Sequence, residues 1–365
     1  CEPSECVVIE DSINGIKAGY AAGMKVIHIP DTIEINDDIR SLTSVVCHSL
    51  SDVSDIIDTW NEGKVADVEG YYENAKINRV YVDRVHVKKA FAEYTAAYNA
   101  DDPKIKLKID HTYRVAALCE RIAKAAGMCA YDVELAWLSG MLHDVGRFEQ
   151  IKRYNTFSDA DSVDHAKFGA DLLFKDGLIS TFLNGMVKCT GYKPGALEDR
   201  YSSDGVFLYD RLNKSDMEML ELAIRCHNMY RIPQGLNSRE QAFCNVLRDA
   251  DKVDIFKVNI DTPLEEIYNT TTEELMKSDI TDEVLEAFDE EHCILKAIRR
   301  TPADTVIGHV SLAYELVYDE SVRITVEQGY LAKLMHFHSD NEETNRKMAM
   351  VREKMDSYVK KRIGE

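Results

Sequence analysis

Hydrophobic and polar positions follow two different rhythms along this chain, and the change falls after residue 78. In the first stretch, Cys6-Val7-Val8-Ile9 is a short apolar run, which predicts a buried parallel strand. Glu10-Asp11-Ser12 stands at its C-terminal end, where α/β folds place ligands. Ser12 is placed to cap a following helix that Gly23 ends. Lys25 to Ile29 predicts the next strand, and after Asp31 a helix-like stretch runs from Ser49 to Trp60. Asn61 to Asn78 is polar and glycine-containing, as a linker would be.

From there almost to the end, apolar residues recur at helical spacing. His111, Val115, Leu118 and Ile122 share one face, as do Leu135, Leu138, Leu142 and Val145. Ser215 and Glu218 form a capping-box pattern ahead of Leu220, Ala223, Ile224 and His227. Phe243, Leu247 and Ala250 precede Asp251. Val80 to Val87 alternates as a strand would, but Ala-rich helical sequence follows, so it is taken as helix. The expected fold is mainly α: a partial α/β piece over residues 1–63, a linker over 64–79, and an all-helical domain over 80–365.

Composition narrows the function. Of 365 residues, 45% are hydrophobic and 30% charged, as in ordinary soluble domains. No run approaches the roughly 18 apolar residues a membrane helix needs, and no basic-then-apolar leader opens the chain. No membrane partner and a cytoplasmic location are therefore expected. The net charge of -20 repels nucleic acid polymers and anionic lipid, so a phosphorylated small molecule would need a local counter-charge. The chain begins with Cys1, close to a strand, and reads like a fragment whose N-terminal part is missing. Its nine cysteines form no C-x-x-C pair and are odd in number, which predicts buried reduced thiols rather than a zinc cluster or disulfide framework.

The chemistry lies in where His and Asp fall. His111 opens one apolar-faced helix; His143 and Asp144 close the next; His165 opens another; His227 ends a fourth; and Asp251 lies in Arg248-Asp249-Ala250-Asp251-Lys252. An imidazole or carboxylate in apolar surroundings loses several kcal/mol of hydration unless something compensates it. One divalent cation could compensate several. Each piece alone is weak, since about one His-Asp dipeptide is expected by chance in such a chain. A lone His on an apolar face is commonly a hydrogen-bonded core residue. The ordered set carries the reading.

That set, H…HD…H…H…D, resembles the HD superfamily of metal-dependent phosphohydrolases, from about Val80 to the C-terminus. Its strongest pieces are Leu142-His143-Asp144-Val145-Gly146-Arg147-Phe148-Glu149 and Arg248-Asp249-Ala250-Asp251-Lys252. The resemblance implies an all-helical fold with His111, His143, Asp144 and Asp251 as core ligands. For a two-metal version it adds His165 and His227, with Asp144 bridging. Asp249 is a second candidate beside Asp251, which the family pattern favours. One or two divalent ions are implied, among Mn, Fe, Zn, Co, Ni and Mg. Where many relatives carry a phosphate-binding Lys, this chain has Arg147, which either grips phosphate bidentately or pairs with Glu149 or another surface carboxylate. Lys252 either assists in binding substrate or is a solvated surface charge. The Gly-Tyr-Pro signature of cyclic dinucleotide hydrolases is absent after His227, where the chain reads Asn228-Met229-Tyr230-Arg231-Ile232-Pro233.

The implied activity is hydrolysis of a phosphomonoester or phosphodiester, nucleotides included. A metal lowers the pKa of water to about 7, hydroxide attacks phosphorus in line, and Asp144 and Arg147 serve the chemistry. The competing reading is a regulatory module that binds metal or nucleotide without turnover.

At the N-terminus, Val8-Ile9-Glu10-Asp11-Ser12 with Gly15-Ile16-Lys17-Ala18-Gly19 and Ala21-Ala22-Gly23-Met24 resembles the last motif of haloacid-dehalogenase-like phosphatases and β-phosphoglucomutase-like enzymes. In that family the acidic pair, matched by Glu10 and Asp11, holds Mg²⁺. The nucleophile, Ser/Thr and Lys motifs would lie upstream and are not in this chain. The piece is expected to be a structural remnant with a vestigial Mg site and no catalysis of its own.

Overall fold

The computed structural model describes residues 2–29, 39, 41–46, 50–61, 82–99, 101–183, 212, 214–268 and 270–364. The expected linker over 64–79 and Asp31 lie outside these residues. The chain forms two compact units, one holding the N-terminal α/β segment and the other running from Ala90 to Thr181 and from residue 213 onward.

In the first unit, β1 (Val7–Glu10), β2 (Lys25–His28) and β3 (Val45–Val46) make a parallel sheet in the order β1-β2-β3. Val8 pairs with Val26 and Ile27 with Val45. Because successive strand residues face opposite sides, Val26 packs with Ile16 of α1 (Ile13–Ala21). Ile27 and Val45 pack with Val53 and Ile56 of α2 (Leu50–Asn61). Ser12 caps α1, accepting from the Gly15 amide. The periodicity reading lacks β3, which at two residues is too short to show an alternation.

The second unit is helical. α3 (Arg84–Thr95) starts where Asp83 accepts from the amides of Val85 and His86, so of the expected helix over Val80–Val87 the part from Arg84 onward is helical and Val82 and Asp83 precede it, while residues 80 and 81 lie outside the described residues. α4 (Pro103–Ala125) is capped by Asp102 with Pro103 in its first turn. It therefore begins about two turns before His111, which lies inside the helix rather than opening it. Its lysine-rich first turns hide that start from an apolar pattern. α5 (Ala130–Leu142) returns along α4, and α6 (Val145–Tyr154) and the short α7 (His165–Ala170) follow. After α8 (Ile179–Leu183) comes α9 (Lys214–Cys226). Because α9 already includes Ser215, that residue lies within the first turn, not at the cap. α10 (Ser238–Asp261) opens on an Asn237–Glu240 capping box and packs against α4, α5 and α9. Seven further helices from Leu264 to Ile363 surround this core among the described residues. No helix among the described residues is long and apolar enough to cross a membrane. Cys119, Cys226, Cys244 and Cys293 are buried thiols.

Two glycines set the spacing around the site. A Cβ at Gly140 of α5 would lie 2.6 Å from the Ala116 Cα of α4, and one at Gly146 of α6 would lie 2.4 Å from the His165 carbonyl oxygen. Backbone, not side chain, therefore makes these crossings. Gly140→Ala should destabilise the protein by about 1–3 kcal/mol, the usual range for overpacking. Urea unfolding measures this directly, and an unchanged midpoint would contradict the packing argument.

Candidate metal centre

His111 lies within α4, His143 directly follows α5, Asp144 precedes α6, His165 opens α7, His227 directly follows α9, and Asp251 lies in α10. The structure brings all six together. His111, His143, Asp144, His165 and His227 are buried. His111 Nε2 is 3.1 Å from Asp251 Oδ1 and 3.6 Å from Asp144 Oδ2, and His143 Nε2 is 3.5 Å from Asp144 Oδ2. His165 Nε2 and His227 Nε2 lie 3.6 and 3.8 Å from the other oxygen, Asp144 Oδ1. The two Asp144 oxygens thus face two different pairs of imidazoles.

The opposite ring nitrogen of each histidine is tied down. His143 Nδ1 donates to the Gly140 carbonyl at 2.8 Å and His227 Nδ1 to the Ile224 carbonyl at 2.7 Å. His111 Nδ1 bonds Asp254 Oδ2 at 2.6 Å, and His165 Nδ1 bonds Asp159 Oδ2 at 2.7 Å. Carbonyl and carboxylate oxygens only accept, so at His143, His165 and His227 the proton belongs on Nδ1 and the Nε2 lone pair points inward, while His111 meets a carboxylate at both nitrogens, Asp254 at Nδ1 and Asp251 at Nε2. Burial, reinforced at His165 by Arg147 and at His227 by His143, lowers both pKa values to about 4, so both rings are neutral at pH 7. Their Nε2 atoms are nevertheless only 3.1 Å apart. Lone pair against lone pair at that distance calls for a cation. Burial likewise lowers His143. At His111 burial and Lys108 pull downward, but the hydrogen bonds to Asp251 and Asp254 prevail and raise it.

Asp144 supplies a second indication. Its Oδ1 is buried with no hydrogen-bond partner. Burial alone would raise its pKa, yet Lys108, then His143, His165 and Arg147, hold it well below the usual carboxylate range. A buried ionised oxygen without a donor is costly. The donor set fits a divalent ion: His111, His143 and Asp251 form one cluster of ligand atoms and His143, Asp144 and His227 another.

Arg147 sits beside this centre, its Nε 3.7 Å from Asp144 Oδ1. Its terminal nitrogen NH1 donates to Gln150 Oε1, the Phe157 carbonyl and Asp159 Oδ1 at 2.7–2.9 Å. Glu149 instead bonds Tyr98 and Arg153. Lys252 is buried rather than a solvated surface charge, and burial lowers its pKa to about 8. Asp249 turns away from the centre: it accepts from the Val317 and Tyr318 amides and the Ser321 hydroxyl. Two residues apart on a helix face opposite ways, so only Asp251 reaches the centre.

Pattern reading missed three residues. Lys108, one turn before His111, places its amine 2.7 Å from Asp144 Oδ2. Asp254, one turn after Asp251, anchors His111 and takes a two-pronged bond from Arg114 at 2.6 and 2.9 Å. Both lie at helical i±3 spacing from a candidate ligand, which was a usable signal. Asp159 lies outside any helix and gave none. In the other unit, Glu10 Oε2 accepts from the Ser12 hydroxyl at 3.1 Å at the end of β1, and Asp11 is exposed.

Residues 109–281 match the family model described as HD domain, and this stretch contains all six converging residues. The match supports the HD superfamily, whose members are typically metal-dependent hydrolases, for the helical unit. An uncharacterized protein of Schizosaccharomyces pombe, C4C5.01, is 39% identical over 56 residues, 14% of this chain and 22% of that protein. The chain thus spans about a fifth of the length of this curated relative. No solved structure matches.

Asp254 gives a pH prediction. Burial would raise its carboxyl, but the hydrogen bonds from His111 and Arg114 hold it below its ordinary 3.8. A depressed carboxyl contributes stability that is present above pH 3.8 and lost as pH falls through the folded value. Asp254→Asn should therefore unfold at lower urea than wild type at pH 7, by roughly 1–3 kcal/mol. That gap should narrow below pH 3.8, and a pH-independent gap would refute the assignment.

Proposed function

We propose that the helical unit is a metal-dependent phosphohydrolase that holds two divalent ions and acts on a small phosphate ester, mono- or diester, nucleotides included. His111, His143, Asp251 and Asp144 Oδ2 would hold one ion, and His165, His227 and Asp144 Oδ1 the other. The observation that carries this is the unpartnered Asp144 Oδ1 facing two neutral Nε2 atoms 3.1 Å apart.

When bound, the metal would supply Lewis acidity and lower the pKa of water from 15.7 to about 7, which makes hydroxide available at neutral pH. The chain's own groups do the rest. Asp144, kept ionised by Lys108 and its neighbours, orients both halves of the centre. Lys108, Arg147 and Lys252 supply positive charge against phosphoryl oxygens in a chain of net charge -20. The apolar helices around them exclude bulk water and strengthen those attractions.

The test is turnover of a panel of phosphomonoesters, phosphodiesters and nucleotides by full-length protein loaded with Mn²⁺, Fe²⁺, Co²⁺, Ni²⁺, Zn²⁺ or Mg²⁺. Activity with at least one metal, lost by a factor of about 10³ or more in both His143→Ala and Asp144→Ala, is the expected result. One observation favours the second reading, a non-catalytic module binding metal or nucleotide: the Arg147 terminal nitrogen already has three partners. Protein that binds two ions yet hydrolyses nothing on the panel would decide for it.

For the first unit we propose a haloacid-dehalogenase-like α/β piece. Its support is the strand–helix–strand order with Glu10 and Asp11 at the strand end.

A further inference from the structure

The two halves of the centre are not supported alike. Around His111, every support is helical and its Nδ1 anchor, Asp254, is buried. Asp254 and Asp251 ride on the long α10, and Asp254, 2% exposed at its side chain, is gripped twice more by Arg114. His165 is different. It is the first residue of the six-residue α7, and its anchor, Asp159, lies in the segment between α6 and α7 with its side chain 33% exposed.

Asp159 collects donors from several directions. Oδ2 takes His165 Nδ1 at 2.7 Å and Asn228 Nδ2 at 3.3 Å. Oδ1 takes Arg147 NH1 at 2.9 Å and Gln150 Nε2 at 3.0 Å. Arg147 and Gln150 stand one turn apart on α6, and Asn228 follows His227 in the chain. The fully buried Gln150 also donates to the Ser162 hydroxyl and the Val163 carbonyl, fastening the far end of the same segment. Asp159, Asp164 and His165 could be taken for a ligand cluster of their own. Their bonds exclude that: Asp164 is occupied by the Lys167 amide and Asn228, and the His165 nitrogen facing Asp159 is already bonded to it.

Building on the two-ion reading above, we propose that Asp159 is the positioning residue of the second half of the centre. It fixes His165 in the Nδ1–H tautomer with Nε2 turned toward His227 and Asp144 Oδ1, and so sets whether the centre takes one ion or two. The carboxylate makes the imidazole a stronger ligand. Because its other oxygen is held by Arg147 and Gln150, it cannot swing away. Occupancy of the second half is thereby tied to the position of Arg147, whose Nε lies 3.7 Å from Asp144 Oδ1.

The test is calorimetric titration of metal-stripped full-length protein with Mn²⁺ and Co²⁺, with bound metal counted by elemental analysis. Wild type should take two ions. Asp159→Asn, which keeps the shape and removes the charge, should weaken one of the two by about 10–100-fold and leave the other unchanged. Asp159→Ala should lose that ion altogether, and ¹⁵N NMR of its imidazoles should show His165 no longer confined to one tautomer. Asp254→Asn should weaken the opposite ion. Two ions bound by Asp159→Asn with wild-type affinities would overturn this proposal and leave the two-ion reading intact. Equal weakening of both ions would reduce Asp159 to a general structural role and also overturn it. Wild type that binds fewer than two ions would overturn the two-ion reading and this proposal with it.

Discussion

Four imidazoles converge on one carboxylate because each is tethered at its far nitrogen, and the helical unit is arranged to supply those tethers. An untethered ring would rotate about its terminal torsion and present either nitrogen. His143 and His227 find their tethers without help. Each follows the last residue of a helix, where carbonyls lack an intrahelical partner. Each donates to the carbonyl three residues back, Gly140 or Ile224. One bond satisfies an orphan acceptor and aims a ring nitrogen at Asp144. His111 and His165 lie inside a helix and at a helix start, where nearby carbonyls are already used. They require side-chain acceptors, and Asp254 and Asp159 provide them.

The same arrangement makes Asp144 electrostatically uneven. Oδ2 meets the Lys108 amine at 2.7 Å, a charge-assisted bond. Oδ1 has no hydrogen bond among the described residues, and Arg147 Nε lies 3.7 Å from it. A carboxylate buried to 2% exposure with one oxygen unserved costs several kcal/mol unless a further charge is supplied. The close backbone crossings at Gly140 and Gly146 hold the helices near enough for the imidazoles to reach that oxygen. Fold and site are therefore one constraint here, since widening either crossing would separate His143 from His111 or Asp144 from His165.

How much of this was legible in the sequence follows from the same tethers. His143, Asp144, His227 and Asp251 stood out because polar groups at the ends or on the faces of apolar helices break a regular pattern. The helices showed through their 3.6-residue period. Their starts showed less well: His111 was read as a helix opening because Lys104, Lys106 and Lys108 look like ordinary solvated residues. Asp249 and Asp251 looked interchangeable as letters, although helix geometry separates them: Asp251 lies against His111, while Asp249 fastens the start of the helix at Asp319–Gln328. Asp254 was recoverable from its spacing to Asp251. Asp159 was not, because an aspartate in a polar connecting segment has no periodic signature. Its partners Arg147 and Gln150 become visible only when the chain folds back. The haloacid-dehalogenase resemblance is a short motif of a different kind, carried by Glu10, Asp11 and the strand–helix order rather than by any converging set.

Charge bookkeeping around the centre shows why a strongly acidic chain can still meet an anionic ligand there. Lys108, Arg147 and Arg114 face Asp144, Asp159 and Asp254, and each of the three ion pairs linking Lys108 to Asp144, Arg147 to Asp159 and Arg114 to Asp254 closes within 3 Å. The protein's own groups are thus close to locally neutral, whatever the net charge of -20 outside. Divalent ions added to such a set would first meet the need of Asp144 Oδ1 and Asp251 and would contribute the rest of their charge outward. In a buried, low-dielectric site that surplus acts at short range, where the acidic surface is screened and distant. On the proposed function, the pairing of cations and carboxylates would leave that charge for a phosphorylated ligand. A cluster of bare carboxylates would bind metal as well, but would leave less positive charge for the ligand.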